Sequence, residues 1–298
     1  MEFRLLRLPY LAIKEVLMSM SLREQFLISI TSKTSKSLVK SIKQKTQLAV
    51  AQNGKMCLKT KKETVCVQSQ EHELSFVEYP PGRLIIWKKP LNSCMEHLVE
   101  VFRSKVHVSL ASKENLKFLE ELPVNIHSVK VTTVHLQETL DSLRNIPVVE
   151  LTCQKPSNNS FESSYHFDSI IIKFSNNSPF TTTRRSLLLS LINCRKVHIQ
   201  NIVYSTQNLI DFLGKWINGS KMERLQVCFN RNKFNKSIFE QLGQVESGTF
   251  TRAGKKPRFP LSFIIKQNGT GIEAIVYTCG NNVIMTTKFE VASGARNL

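Results

Sequence analysis

The sequence predicts a mixed α/β chain with three short helices at the N-terminus, an irregular stack of helix-strand units, and antiparallel β-hairpins at the C-terminus. Three observations carry this. Apolar residues recur at three-and-four spacing over the first forty-odd residues; from residue 92 an amphipathic helix followed by a short strand recurs several times; after residue 260 strand-like runs are joined by Asn-Gly and Gly-Asn turns. The 298 residues are 41% hydrophobic and 21% charged, which suits a globular chain with one large core or two smaller ones. The predicted boundaries are residues 2–48 for the helical domain, 49–90 for a connecting β segment and 91–298 for the repeat region.

In the helical domain Pro9 suits a helix start, and Ile13, Val16, Leu17 and Met20 build one apolar stripe. Ser21 with Glu24 forms a capping-box pattern ahead of a second helix carrying Leu22, Phe26, Leu27 and Ile30. A third stretch from about Ser35 places Leu38 and Ile42 on one face among lysines. Three helices of this size bury little surface alone, so the unit needs a partner or a second domain.

The β segment reads as a hairpin at MCLKTKKETVCVQ, with a further strand at RLIIW after the Pro80-Pro81-Gly82 turn. Beyond it the helix-strand copies place strand residues Val108, Val129, Val149, Ile171, Val197 and Val227 at separations of 21, 20, 22, 26 and 30 residues. DSIIIKF is a strand with no obvious helix before it. Each unit has an apolar strand and an apolar helix stripe that only its neighbours can bury, which gives a parallel sheet lined by helices. The spacing overlaps that of leucine-rich repeats while their consensus is poorly kept, so the stack is LRR-like and irregular.

No interval holds about 18 uninterrupted apolar residues, so no spanning helix is predicted. Arg4, Arg7, Lys14 and Glu15 interrupt the apolar N-terminus before a signal-peptide core forms. Seven scattered cysteines without a C-x-x-C pattern read as reduced thiols of a cytoplasmic or nuclear protein.

Enzyme signatures fail for physical reasons. The glycines of Gly248 to Lys256 are one residue too far apart for a P-loop, and Lys256 stands where the Mg-binding hydroxyl belongs. Gly269-x-Gly271-x-x-Ala274 is followed by β-formers, leaving no helix N-terminus for a pyrophosphate, so it reads as a hairpin turn. Cys94 with His97 and Cys194 with His198 lack the paired spacings of a zinc site. No catalytic residues, cofactor or metal are therefore assigned.

Lys and Arg total 41 against 23 acids, a formal net charge of +18 that attracts acidic partners. Nine lysines and no acid fall between Lys33 and Lys62, which reads either as a solvated face or as a docking surface for acidic protein or nucleic acid. Few aromatics interleave with them, which argues against base stacking. A second basic knot, Arg252, Lys255, Lys256 and Arg258, is predicted to sit in a loop.

Leu8-Pro9, then Ile13, Val16 and Leu17, then SLREQFLISITSKTSKSL, follow the order of an F-box, and the wording LLRLPYLAIKEVL and SKTSKSLVK resembles the F-boxes of the large nematode F-box families. STQNLIDFLGKWINGSKMERLQV resembles the signature of the F-box-associated domain of type 2, through Leu213, Trp216, Gly219 and Leu225 in a match covering roughly residues 165 to 235. The resemblance implies a substrate receptor of an SCF-type ubiquitin ligase. Its F-box docks on a Skp1-like adaptor and, through it, a cullin and a RING protein, while the remainder holds an unknown protein target. Leu8, Pro9, Ile13, Val16, Leu17, Phe26, Leu27 and Ile30 are the expected adaptor-binding residues, because that stripe is more apolar than so small a trio can bury. Trp216, next to Ile217 and a Gly219 helix stop, is expected in the core. Target binding is expected on the outward positions of strands near 106 to 110, 127 to 132, 147 to 152 and 196 to 200. The competing expectation is a basic nucleic-acid-binding protein, and no membrane partner is expected.

Overall fold

A computed structural model describes residues 9–42, 44–51, 55–70, 73–78, 86–87, 90–154, 160–175, 183–242, 246–247, 250–252, 255–259 and 262–291. The chain divides into two compact units, Met1–Lys130 and Val131–Leu298.

The first unit opens with helices α1 (Tyr10–Ser19), α2 (Leu22–Ser29) and α3 (Lys33–Ser41). The predicted capping box is formed: Ser21 Oγ accepts from the Glu24 backbone N–H at 3.2 Å, and Glu24 Oε2 accepts from the Ser21 N–H at 2.8 Å. The Ser21 hydroxyl, then the Ser21 backbone N–H, both donating to Glu24 Oε2, hold the Glu24 carboxyl below its ordinary range. The third helix turns differently from the expectation. Ser35 and Val39, one turn apart, face inward, while Leu38 is half-buried.

The chain continues through strands β1 (Gln47–Ala51), β2 (Lys55–Lys59), β3 (Thr64–Gln70), β4 (Glu73–Glu78) and β5 (Ile86–Trp87), then helix α4 (Leu91–Phe102) and strand β6 (Lys105–Leu110). The second predicted helix-strand copy gives only a 3-10 turn and the single-turn helix α5 (Lys117–Glu120) before strand β7 (Ile126–Thr133), within which the unit boundary falls. The strand order is β7-β6-β1-β2-β3-β4-β5. The predicted β2–β3 hairpin is antiparallel, and β1 pairs in parallel with β6. The Pro80-Pro81-Gly82 turn lies outside the described residues.

The expectation of reduced thiols is corrected in this hairpin. Cys57 is disulfide-bonded, and Cys66 stands opposite it in register; directly opposed antiparallel positions bring Cα atoms within bridging range. Cys94, Cys153, Cys194, Cys228 and Cys279 are free.

The second unit runs through helix α6 (Leu136–Ser142), strands β8 (Val148–Cys153) and β9 (Ser169–Phe174), helix α7 (Thr183–Ser190), strand β10 (Lys196–Tyr204), helix α8 (Thr206–Ile217) and strand β11 (Arg224–Phe229). Strands β8 to β11 are parallel and adjacent in chain order. Residues 160–168, which precede β9, contain no helix. Aromatic side chains fill that space instead: Phe161, Tyr165 and Phe167 are buried, and the last two stack at 6.0 Å.

Alternation sets the core of this unit. Val149, Leu151, Ile170, Ile172, Val197, Ile199, Leu225 and Val227 are buried at alternate strand positions; Leu187 and Leu188 of α7 and Leu209, Phe212, Leu213 and Trp216 of α8 are buried too. Trp216 is fully buried, and its Nε1 donates to the Met222 carbonyl at 3.1 Å. Asn218 caps α8, and Gly219 follows at φ +125°, a left-handed stop that favours glycine.

Helix α9 (Lys236–Glu240) leads to strands β12 (Glu246–Ser247), β13 (Phe250–Arg252), β14 (Lys255–Phe259), β15 (Ser262–Lys266), β16 (Glu273–Cys279), β17 (Asn282–Thr286) and β18 (Glu290–Val291). The strand order here is β12-β15-β16-β17-β11-β10-β9-β8. The C-terminal hairpins are antiparallel as predicted, with Gly269 and Gly280 at positive φ in their turns and β17 antiparallel to β11. The second basic knot is corrected: Arg252, Lys255, Lys256 and Arg258 belong to the paired strands β13 and β14 and not to a loop.

Candidate functional site

The F-box-like helices are tied to the structure that follows them in the first unit. Gln25, buried on α2, donates through Nε2 to the Leu17 and Met20 carbonyls at 3.0 and 3.1 Å, closing the end of α1 onto α2. Glu63, in the β2–β3 turn, accepts from the Leu22 N–H at 2.7 Å and so caps the start of α2. Ser29 bonds His97 of α4 at 2.8 Å, and Phe26 meets the same ring edge-on at 5.9 Å. Lys36 and Lys40 of α3 both reach Glu100 of α4, at 2.6 and 3.2 Å. Their hydrogen bonds hold the Glu100 carboxyl below its ordinary range.

This packing divides the expected adaptor-binding residues. Ile13, Leu17 and Phe26 are buried within the unit, where they hold the helices together. Pro9 is exposed, and Val16, Leu27 and Ile30 are half-buried. Leu8 lies outside the described residues. The other side of α1 carries Leu11 and Met18, exposed by 73% and 55%, while Tyr10, one turn before Ile13 on the same side as Ile13 and Leu17, is 53% exposed. Leu11 and Met18 are seven residues apart, within about 20° of each other around a helix. Tyr10 falls on the three-and-four spacing with Ile13 and Leu17 and is exposed all the same; Leu11 and Met18 were missed because they fall outside that spacing. Reading the rest of the helical wheel finds them.

A second surface lies on the outward face of the parallel strands of the second unit. Glu150 on β8 accepts from Lys173 on β9 at 2.7 Å. His198 on β10 stands opposite Gln226 on β11 and within 3.1 Å of Gln200 Nε2. Burial, then the positive charges of Arg224 and Lys173, hold the His198 imidazole below its ordinary range. Of the expected target-binding strands this face includes those near 147 to 152 and 196 to 200. In the first unit, His107 on β6 bonds Ser128 of β7 at 2.5 Å and meets His127 edge-on at 5.5 Å.

The two Cys/His pairs are spent on structure. Cys94 is buried on α4, where desolvation pushes its thiol up to about 12. Cys194 Sγ donates to the Tyr165 carbonyl at 3.4 Å, and burial pushes that thiol up to about 11. Among the described residues no group of three or more His, Cys, Asp or Glu could hold a metal ion. No described helix is long and apolar enough to cross a membrane.

Comparison with known proteins finds an F-box domain over residues 5–47, spanning α1 to α3, and an F-box-associated domain over residues 164–228, spanning β9 to β11. No curated protein and no solved structure matches the chain. The chain thus carries an F-box domain followed by an F-box-associated domain, in N-to-C order.

Proposed function

We propose that the chain is the substrate-receptor subunit of an SCF-type ubiquitin ligase, docking on a Skp1-like adaptor through α1 to α3 and holding a target protein on its second unit. The observation that carries this is the F-box match together with an exposed apolar face on its first helix, Leu11 and Met18. Pro9, Val16, Leu27 and Ile30 complete the contact, while Ile13, Leu17 and Phe26 support it from inside the unit. The second unit is assigned an LRR-like stack, supported by four parallel strands in chain order with α7 and α8 as intervening helices. The receptor performs no covalent step. Its contribution is proximity: target lysines are held near a ubiquitin-loaded enzyme recruited by the cullin and RING subunits. Work of this kind belongs in the cytoplasm or nucleus.

Co-expression with a Skp1-like adaptor tests the proposal. The wild type should co-purify with the adaptor and Leu11→Glu/Met18→Glu should not, with unchanged circular dichroism. A wild type that fails to co-purify contradicts the proposal.

A further inference from the structure

Where the run of parallel strands ends, the second unit contains a cavity of about 550 Å³ whose polar walls are asparagine amides. Asn201, Asn230, Asn232 and Asn281 line it, with Val203 and Phe229 supplying apolar surface. It sits outside the carboxyl ends of β10 and β11, and β11 has parallel β10 on one side and antiparallel β17 on the other. The crevice beyond the carboxyl ends of parallel strands is the common ligand position in open α/β sheets.

The backbone is shaped to open this space. Ile199 stands opposite Val227, yet Val203 stands opposite Cys228, so β10 bulges between those two positions. At the crest Asn201 adopts φ +63°, a left-handed conformation that asparagine tolerates better than most residues. Its Nδ2 donates to the Phe174 carbonyl at 2.8 Å, which pins the bulge to β9. Val203, just beyond, is 49% exposed. The other wall is fixed by two bonds: Phe229 N–H donates to the Asn281 carbonyl at 2.8 Å, and Asn232 N–H donates to Asn230 Oδ1 at 3.1 Å.

The chemistry of this lining is selective. The polar side chains that line the cavity among the described residues are all neutral amides, in a chain of net charge +18. Asn232 and Asn281 make no side-chain hydrogen bond among the described residues, and Asn230 uses only Oδ1. Each amide presents a donor and an acceptor together, which matches the alternating N–H and C=O of an extended main chain. Val203 and Phe229 offer room for one aliphatic side chain. A cavity of this volume falls in the usual range for holding a compact ligand.

We infer that this cavity binds an uncharged, extended peptide segment, its main chain paired with the amides of Asn230, Asn232 and Asn281 and one aliphatic side chain set against Val203 and Phe229. The inference names the target segment and rests on the receptor function proposed above.

The experiment selects from a displayed library of random linear heptapeptides on the purified full-length chain and measures the chosen peptides by fluorescence anisotropy. Selected peptides should be uncharged around a shared aliphatic residue. Asn230→Asp/Asn281→Asp should weaken them at least about tenfold, because Asp keeps the Oδ1 that closes the turn but lacks the amide donor. Val203→Ser, at an exposed position, should weaken them several-fold and decides the matter if the double variant does not fold. Acidic selected peptides, binding unchanged in the variants, or no selected peptide at all would overturn the inference. Adaptor co-purification is read on the same proteins. Peptide binding without adaptor binding counts against the receptor function and leaves the cavity assigned.

Discussion

Ser29 Oγ on α2 lies 2.8 Å from His97 Nε2 on α4, a hydrogen bond that joins the F-box segment to a helix 68 positions further along the chain. With the Glu63 cap on α2 and the Lys36 and Lys40 pairs to Glu100, it makes the F-box helices part of a larger unit. A fragment ending at residue 48 loses all three and is expected to lack stable helix, whereas residues 1–130 should retain it. Far-ultraviolet circular dichroism of the two fragments checks this.

Trp216 is the largest fully buried side chain of the described core. Trp216→Ala should destabilise the second unit by about 3–5 kcal/mol through the cavity it leaves. Trp216→Phe keeps part of the volume but leaves the Met222 carbonyl without its donor, and should cost less. Denaturant midpoints of the two variants give the order.

Gly214 lies inside α8, and an added Cβ would meet only Leu242 at 3.6 Å, an ordinary contact. Gly214→Ala should therefore stabilise the chain by about 0.5–1 kcal/mol through helix propensity and lost unfolded-state freedom. At Gly219, where φ is +125°, the same change should destabilise. Thermal midpoints of opposite sign are the expected outcome.

Two histidines make stability depend on pH. His107 is held below the ordinary 6.5 by burial, then by His127 and Lys105; His198 is held below it by burial, then by Arg224 and Lys173. Below about pH 6.5 the unfolded chain therefore binds more protons than the folded one, so stability is level above that pH and falls as pH drops through it. Glu100, held low by Lys36 and Lys40, and Glu223, held low chiefly by Arg195, add a separate loss only below 4.5. Urea midpoints should decline across the first window, and His107→Gln/His198→Gln should flatten the decline.

Local chemistry made much of this fold legible in the sequence. The Ser21–Glu24 capping box, the hairpin turns at Gly269 and Gly280, and the buried Trp216 follow from spacing and residue type. What depended on distant partners was harder to read. The inward face of α3 is set by α2 and α4, so Val39 is buried where Leu38 was expected. That Cys57 is disulfide-bonded, and that it stands opposite Cys66 across the hairpin, are facts that cysteine spacing does not reveal. At the candidate site, periodicity marked the helix face that became core and passed over Leu11 and Met18, since buried and partner-facing apolar residues look alike in a sequence. The asparagine cavity draws on three chain segments up to eighty positions apart, from Asn201 to Asn281, and carries no local signature.

Hydrogen–deuterium exchange of the chain with and without a Skp1-like adaptor tests the receptor account most directly. The account predicts protection concentrated on α1 and α2, lost in Leu11→Glu/Met18→Glu. Unchanged exchange over residues 10–29, or protection confined to the second unit, would contradict it.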